Sequence, residues 1–417
     1  VAVSEHEAVR AVANGQARRL GTVVMKFGGT SVGDPERIRN VARRLVSARD
    51  AGSRVVGVVS AMGDTTDELL DLAHQISATP DPRELDMLLS VGERISCALV
   101  AMATRDLGRE AISLTGSQAG IVTDAVHTKA KIVEIRAERI NHALDDGRIV
   151  LVAGFQGMST DRDITTLGRG GADTTAVALA AALGADACEI FTDAGGVFSA
   201  DPQVVPGARK LAAVTYEEML EMAAAGARVL QLRSVELARN HGVRLHVRST
   251  FTDEAGTWIT RESDRMREKA TISGVTHTVD EAVYRVHGST PAELFPALAD
   301  RHVNVDTIVQ TSADVIVFSA PLGDRVATAA TLDALGASWS EHDDLGKVSI
   351  VGAGMKSHPG VAATTFTALH EAGIEPQFVS TSPIKIAFYV PHAQVDRAVS
   401  ALHDAFELDA EAGGDAS

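Results

Sequence analysis

Cysteine, cationic side chains and the familiar phosphate-binding motifs are all scarce in this chain. Only two cysteines, Cys97 and Cys188, occur among 417 residues, and they fall in stretches that read as a helix and a buried strand. That excludes a disulfide framework and a cysteine-built metal site, and both are expected as reduced core thiols. Lysine and arginine number 39 against 55 aspartates and glutamates, a formal net charge of −16. With no basic block and no interleaving of basic and aromatic residues, nucleic acid is excluded as an expected partner. Any anionic ligand must then be held by a few local cations and backbone N–H groups. No apolar run approaches the roughly 18 to 20 residues needed to cross a bilayer, so no membrane partner is expected. The opening VAVSEHEAVRAVANGQARRLG lacks the continuous apolar core of a secretory signal and would suit a short surface helix. A cytoplasmic location is the expectation.

Standard motifs are missing too. Gly346-Lys347 is followed by Val348 and has no Walker A context, and Gly352-Ala353-Gly354 lies in a small C-terminal module rather than at a dinucleotide turn. Neither HExxH nor CxxC occurs, and no protein metal ligands are expected. What remains is an ordinary globular balance, 45% hydrophobic and 23% charged, over a length that suits two or three domains.

From residue 22 to about 250, short β-rich runs alternate with Ala/Leu-rich helical stretches. Val23 to Phe27 reads as a short strand, and Arg54 to Ser60, Ile149 to Ala153 and Ala187 to Thr192 read as nearly all-apolar strands, as in a parallel sheet covered on both faces. Leu85 to Leu107 and Thr174 to Leu183 read as helices. This alternation predicts an α/β sandwich with a mainly parallel sheet, whose ligands sit at the carboxyl ends of the strands. Residues 251–271 are polar and weakly periodic, and read as a linker. Residues 347–408 follow a β-α-β-β-α order, a ferredoxin-like module. Residues 282–335 repeat it more weakly, with strands at Val283 to His287, Val303 to Val309 and Val315 to Ala320, and tandem modules point to an internal duplication.

The chemistry falls on glycine-rich strand ends. Lys26, closing a strand and followed by Gly28 and Gly29, offers a cation beside unhindered amides, the combination phosphate binding requires; a plain βα turn with a solvated lysine is the simpler alternative. In TTLGRGGADTT (165–175), Arg169 can grip a carboxylate with two parallel hydrogen bonds. Asp173 can cap the following helix or organise the ligand. TDAGGVFSADP (192–202) ends a strand in a turn that suits a nucleotide. Glu93-Arg94 interrupts an apolar helix, where a buried charge needs a partner, either a bound cation or a structural salt bridge.

Together, KFGGTSV at 26–32, SAMGDTTDEL at 60–69, SVGERIS at 90–96, GSQAG at 116–120, GFQG at 154–157, TTLGRGGAD at 165–173, TDAGGVFSADP at 192–202 and VGAGMKSHPG at 351–360 closely resemble the aspartokinases. The resemblance covers residues 22 to about 408. It implies an amino-acid kinase three-layer sandwich at 22–250, preceded by an extension at 1–21. Two ACT domains follow, a degenerate one at 281–343 and a second built from 272–280 plus 344–408, before a flexible tail at 409–417. It further implies ATP as phosphoryl donor, Mg²⁺ held mainly by the nucleotide phosphates, aspartate or an analogue as acceptor, and a homodimer formed through the ACT domains. By position, Lys26, Asp173 and Arg228 would be catalytic, with Arg228 standing where the family usually has lysine. Ser60, Thr66, Glu93, Arg169 and Ala172 would line the acceptor, with Glu93 on its ammonium and Arg169 on its α-carboxylate. Gly28, Gly29, Thr30, Thr192, Asp193, Phe198 and Asp201 would hold the nucleotide.

Departures from the family pattern carry expectations of their own. Ala172 replaces a usual serine beside the acceptor, and Gln203 a usual arginine near the phosphates. In the first ACT unit, Gly288-Ser289-Thr290-Pro291-Ala292 is shorter than the family turn, Pro296 should disturb about one turn of the following helix, and Gln310-Thr311 replaces Gln-Asn. In the second, Pro383 replaces a glutamate suited to an effector's ammonium. Weak or absent inhibition by lysine and threonine is expected. Two alternatives to an aspartate kinase remain: a kinase for an aspartate analogue, and an inactive regulatory paralogue.

Overall fold

The computed structural model describes residues 21–261 and 271–409, apart from 313, 354, 356, 357 and 359. The expected N-terminal surface helix, much of the linker, part of VGAGMKSHPG and most of the tail lie outside the described residues. Packing divides the chain into two compact units, one running to Asp193 and including Asn240–His246, the other formed by Ala194–Arg239 and the chain from Val247 onward.

In the first unit, strand β1 (Thr22–Phe27), helix α1 (Pro35–Asp50) and β2 (Arg54–Val59) are followed by α2 (Thr65–Ile76), α3 (Pro82–Leu89), α4 (Val91–Asp106), β3 (Ala111–Leu114), β4 (Ile121–Thr123) and β5 (Ile132–Ile135). Then come α5 (Glu138–Asp145), β6 (Ile149–Ala153), β7 (Gln156–Ser159), β8 (Ile164–Thr166), α6 (Gly171–Leu183) and β9 (Ala187–Thr192). The sheet order β3-β6-β2-β1-β9 is parallel throughout. β6 is buried at every position, which is why it reads as a continuous apolar run. Helix α1 starts from Asp34, whose carboxylate accepts from the Glu36 and Arg37 amides at 2.9 Å, with Pro35 preset for the first turn. Its buried Ile38, Val41, Ala42 and Leu45 recur at helical spacing. Ile38, Val41 and Leu45 meet Phe27, Val59, Cys97 and Phe191 in one core between the sheet and helices α1 and α4. Cys97 and Cys188 are both buried and unpaired.

The helix expected over Leu85 to Leu107 is two helices. Its register breaks at Ser90, whose carbonyl accepts from Gln156 Nε2 at 2.8 Å and whose hydroxyl accepts from Arg94 Nη2 at 3.1 Å. The stretch Pro82–Asp106 is long and apolar enough to cross a bilayer, contrary to the reading of the sequence, but half of its most apolar window is buried inside the protein. It is a core helix pair.

The second unit contains β10 (Ala213–Thr215), α7 (Tyr216–Ala224) and most of α8 (Leu232–His241) and β11 (Leu245–Ser249). Next is β12 (Thr257–Thr260), which pairs in parallel with β10. A strand therefore lies inside the supposed linker: Trp258 and Ile259 suffice for a short run that overall polarity conceals. Beyond come β13 (Thr271–Thr278), β14 (Glu281–His287), α9 (Pro291–Asp300), β15 (Ile308–Ser312), β16 (Val315–Pro321), α10 (Arg325–Ala334) and β17 (Ser338–His342). The unit ends with β18 (Leu345–Ala353), α11 (Gly360–Glu371), β19 (Phe378–Ser382), β20 (Lys385–Pro391) and α12 (Val395–Ala405). They form two sheets, β13-β18-β20-β19 and β15-β16-β14-β17. The strand expected at Val303 to Val309 begins only at Ile308, since it pairs with β16 from there. Helix α9 runs on through Pro296. Its start is secured by Glu293, which accepts from the Thr290 amide at 3.0 Å and hydroxyl at 2.8 Å, so the proline's missing N–H costs one bond rather than a turn.

The division at Asp193 has a visible cause. Helix α7 is tied to the C-terminal strands: Ser273 Oγ donates to Glu218 Oε1, and Lys385 Nζ pairs with Glu221 at 2.9 Å. Between the two C-terminal sheets, Lys347 is fully buried with Nζ 2.5 Å from Glu281 and 2.6 Å from Asp306. Burial opposes its charge, but Glu281, Tyr389 and Asp306 outweigh that and hold the ammonium above its usual range. Lys347→Met should strand two carboxylates and destabilise the fold by about 2 kcal/mol, below the 3–5 kcal/mol of a fully buried pair because Asp306 is partly solvated. The denaturant midpoint measures this, and an unchanged midpoint would refute it.

Candidate active site

Lys26 sits in register between Val58 of β2 and Ile190 of β9. Strand alternation turns it away from the Phe27 side of the sheet, and its Nζ lies 2.6 Å from Asp173 Oδ1, with both side chains about nine-tenths buried. Asp173 is in the first turn of α6, which starts from Gly170 in the left-handed region at φ 70° with no side-chain cap. Asp173 therefore serves the ion pair rather than the cap, and the positive helix terminus favours its charge.

The loops after β1 and β2 meet beside this pair. Gly28 is not a free amide, since its N–H donates to Phe191 O at 3.3 Å. A Cβ on Gly29 would stand 3.0 Å from Gly63 O and 3.1 Å from Ala61 O, so two backbones approach there as only glycine permits. Thr30 is exposed and its carbonyl accepts from Arg37 Nη1 at 2.8 Å. Ser60, half-buried, donates its N–H to Phe27 O at 3.1 Å, and half-buried Thr66 lies in the first turn of α2.

Glu93 is the unusual group. It is 3% exposed, its Oε1 accepts from the Ala61 amide at 3.2 Å, and its Oε2 has no hydrogen-bond partner. Burial pushes its carboxyl up to about 7 against the pull of backbone N–H groups. Among the described residues no cation forms a salt bridge with Glu93: neighbouring Arg94 turns to Gln156 Oε1 at 3.2 Å and to Ser90. Arg169 is exposed on the turn between Gly168 and Gly170, and no carboxylate among the described residues pairs with it. Ala172 is buried, and a Cβ on Gly154 would meet its Cβ at 2.9 Å.

Asp86 escaped the sequence reading. It is wholly buried, with His127 Nδ1 2.7 Å from Oδ2, the Thr128 amide donating to both oxygens at 3.1 Å and Thr166 Oγ1 donating at 2.5 Å. This fixes the segment leading to Arg169. The signal was available, since an aspartate in the apolar run ELDMLL needs partners just as Glu93 does.

The nucleotide candidates fall in two groups. Thr192 Oγ1 donates to Asp193 Oδ1 at 2.9 Å at the end of β9. In the second unit, the Phe198 ring lies 5.8 Å from Lys210 Nζ, and Asp201 Oδ1 accepts from the Gln203 amide at 2.8 Å. Arg228 is exposed and paired with Asp280 at 2.5 Å.

Lys26, Asp173 and Glu93 thus stand at the strand ends of a parallel sheet whose sequence profile is that of the amino acid kinase family, matched over residues 21–249, with an ACT domain profile over 348–406. A kinase fold for small acids followed by a ligand-sensing module is the class these features define. Aspartokinase of Mycolicibacterium smegmatis is 52% identical over 95% of this chain and 97% of its own length. Aspartokinase 2 of Bacillus subtilis is 48% identical over 93% and 98%. The crystal structure of E. coli aspartokinase III in complex with aspartate and ADP superposes with a TM-score of 0.82 at 24% identity, covering 92% of this chain and 99% of that one. Aspartate kinase from Synechocystis gives 0.53 at 40% identity over 92% and 69%. The chain belongs to the aspartokinase family.

Proposed function

We propose that this protein transfers the γ-phosphoryl group of ATP to the side-chain carboxylate of aspartate, forming 4-phospho-aspartate, with weakened feedback by lysine and threonine. The observation that carries the reading is Glu93: a buried carboxylate with one oxygen unpartnered calls for a cation, and an amino acid's ammonium supplies it. Arg169, without a carboxylate partner of its own, suits the α-carboxylate by a two-pronged hydrogen bond. The attacking carboxylate is already ionised at neutral pH, so no strong base is needed. Both reactants are anions, and the work is positioning and neutralisation. Lys26, held by Asp173, is the cation for the transferring group.

Among the described residues no cluster of three or more His, Cys, Asp or Glu side chains could hold a metal by itself. A Mg²⁺ would be carried mainly on the nucleotide's phosphate oxygens, with Asp173 the carboxylate nearest the catalytic cation and the candidate to reach it. When bound, the ion neutralises phosphate charge.

Weakened feedback is supported by the second C-terminal module. Pro383 replaces the expected glutamate, and the hairpin beside it is already engaged, with Ser382 Oγ donating to Glu221 of α7 at 3.5 Å and accepting from the Ile384 amide at 3.3 Å. The test is acyl-phosphate formation trapped with hydroxylamine, using MgATP and aspartate, with and without lysine plus threonine. Aspartate turnover unaffected by millimolar effectors is expected. Strong inhibition would sink the feedback reading. Turnover of an analogue alone would make Ala172, packed against Gly154, the determinant of a different acceptor. Silence across all acceptors would favour the inactive paralogue, which the intact Lys26, Asp173, Glu93 and Arg169 argue against.

A further inference from the structure

Ser199 lies between Phe198 and Asp201, in the loop assigned above to the nucleotide, and it is completely buried. Its hydroxyl faces three partners: the Arg209 amide at 2.8 Å, His403 Nε2 at 2.9 Å and the Leu408 carbonyl at 3.2 Å. A serine has one donor and two acceptor sites. A single assignment satisfies all three: the Arg209 N–H and a His403 Nε2–H donate into Oγ, and the Ser199 hydroxyl donates to Leu408 O. Its backbone is equally committed, with N–H donating to Arg209 O at 2.8 Å and C=O accepting from the Val275 amide of β13 at 2.7 Å. A Cβ on Gly274 would stand 2.6 Å from Ser199 O, so β13 lies directly against the loop.

His403 is on α12, 204 residues away in sequence, and 1% exposed. Burial lowers its imidazole below the usual range against the pull of Asp404 and Asp409, and Arg209 adds to the lowering. The shift favours the neutral ring, and the network requires only that its Nε2 carry a hydrogen. Nothing in the phosphoryl-transfer chemistry uses this pair, yet burying a serine and a histidine together costs free energy unless both are satisfied.

We propose that Ser199 and His403 are positioning residues for the nucleotide: they knot the loop carrying Phe198 and Asp201 to the last helix and fix where those two side chains stand. This rests on the reading that the chain uses ATP.

The experiment compares His403→Leu, His403→Gln and Ser199→Ala in the full chain, with steady-state kinetics for MgATP and for aspartate and calorimetric titration with MgADP. Glutamine presents an N–H near the position of Nε2, whereas leucine does not. Loss of the Ser199–His403 hydrogen bond should raise KM for MgATP and Kd for MgADP about five- to tenfold in His403→Leu, and at least as much in Ser199→Ala, which also loses the bonds with the Arg209 amide and the Leu408 carbonyl. KM for aspartate should stay within about twofold, and His403→Gln should recover most of the loss. Combining Ser199→Ala with His403→Leu should be little worse than Ser199→Ala alone, because the bond between the two residues is already lost there. An unchanged nucleotide affinity in the two cutting variants overturns the proposal, as does a glutamine variant that behaves like leucine. If both cutting variants fail to fold, the knot is a folding element only and the positioning role is lost. Wild-type protein that binds MgADP but leaves aspartate untouched sinks the activity while the ADP titrations still decide this inference. Wild-type protein that binds no MgADP overturns both.

Discussion

Lys26→Met is expected to lower kcat about 10³-fold, the scale of removing a preorganised charge donor from a transition state. The ammonium stands at the end of β1, 2.6 Å from Asp173 and largely shielded from water, where a charge acts more strongly than in solvent. Methionine keeps the packing of the stem but leaves Asp173 buried without its cation. The variant then presents a net negative site to two anionic substrates, so both binding and turnover suffer. Single-turnover hydroxamate formation isolates the chemical step, and a thermal melt checks that the fold persists. A folded variant that loses less than about tenfold would remove Lys26 from the chemistry and return it to the role of a structural partner for Asp173.

Glu93→Gln carries the second large effect, and here activity and stability move in opposite directions. The side chain keeps its bond from the Ala61 amide through Oε1 but loses the charge. KM for aspartate should rise about tenfold to a hundredfold, the worth of a hydrogen bond to a charged group. Ligand-free wild type holds Glu93 protonated up to about 7, against an ordinary 4.5. The folded state therefore keeps a proton that the unfolded chain has already lost between those values, and stability falls as pH rises through that window. Above it the full cost of the buried charge remains. Glutamine carries no such cost, so the variant should melt higher than wild type at pH 8 and lack the downward slope below it. Aspartate's ammonium pairs with the ionised form, so wild-type KM for aspartate should fall as pH rises toward 7, and this dependence should vanish in the variant. A variant that is less stable at pH 8, or that keeps the wild-type KM, contradicts the assignment.

The central sheet was legible in the sequence because its strands are buried on both faces. Arg54 to Val59 and Ile149 to Ala153 announce themselves as apolar runs, and glycines mark the turns at their ends. Glu93 was legible for the converse reason, a charge among Met87, Leu88, Leu89 and Ile95. What stayed hidden was partnership. Nothing local to Lys26 says that its counterion lies 147 positions on, nor that Asp86 would gather His127, Thr128 and Thr166. The break at Ser90 is held by a Gln156 side chain 66 positions further along the chain. The strand at Thr257–Thr260 was lost in a polar stretch because three or four residues give too short a period to read. The grouping of 194–239 with the C-terminal strands depends on Glu218, Glu221 and Ser199, whose partners are side chains and amides far along the chain.

The two cysteines have a practical consequence. Burial pushes the Cys97 thiol up to about 12 and raises Cys188 as well, so neither supplies thiolate at neutral pH, and thiolate is the form that alkylating reagents attack. The native protein should therefore react with maleimides only slowly. A single cysteine placed on an exposed position near Asp201 would take up a fluorophore alone, and movement of the 197–202 loop could be followed without first stripping the background.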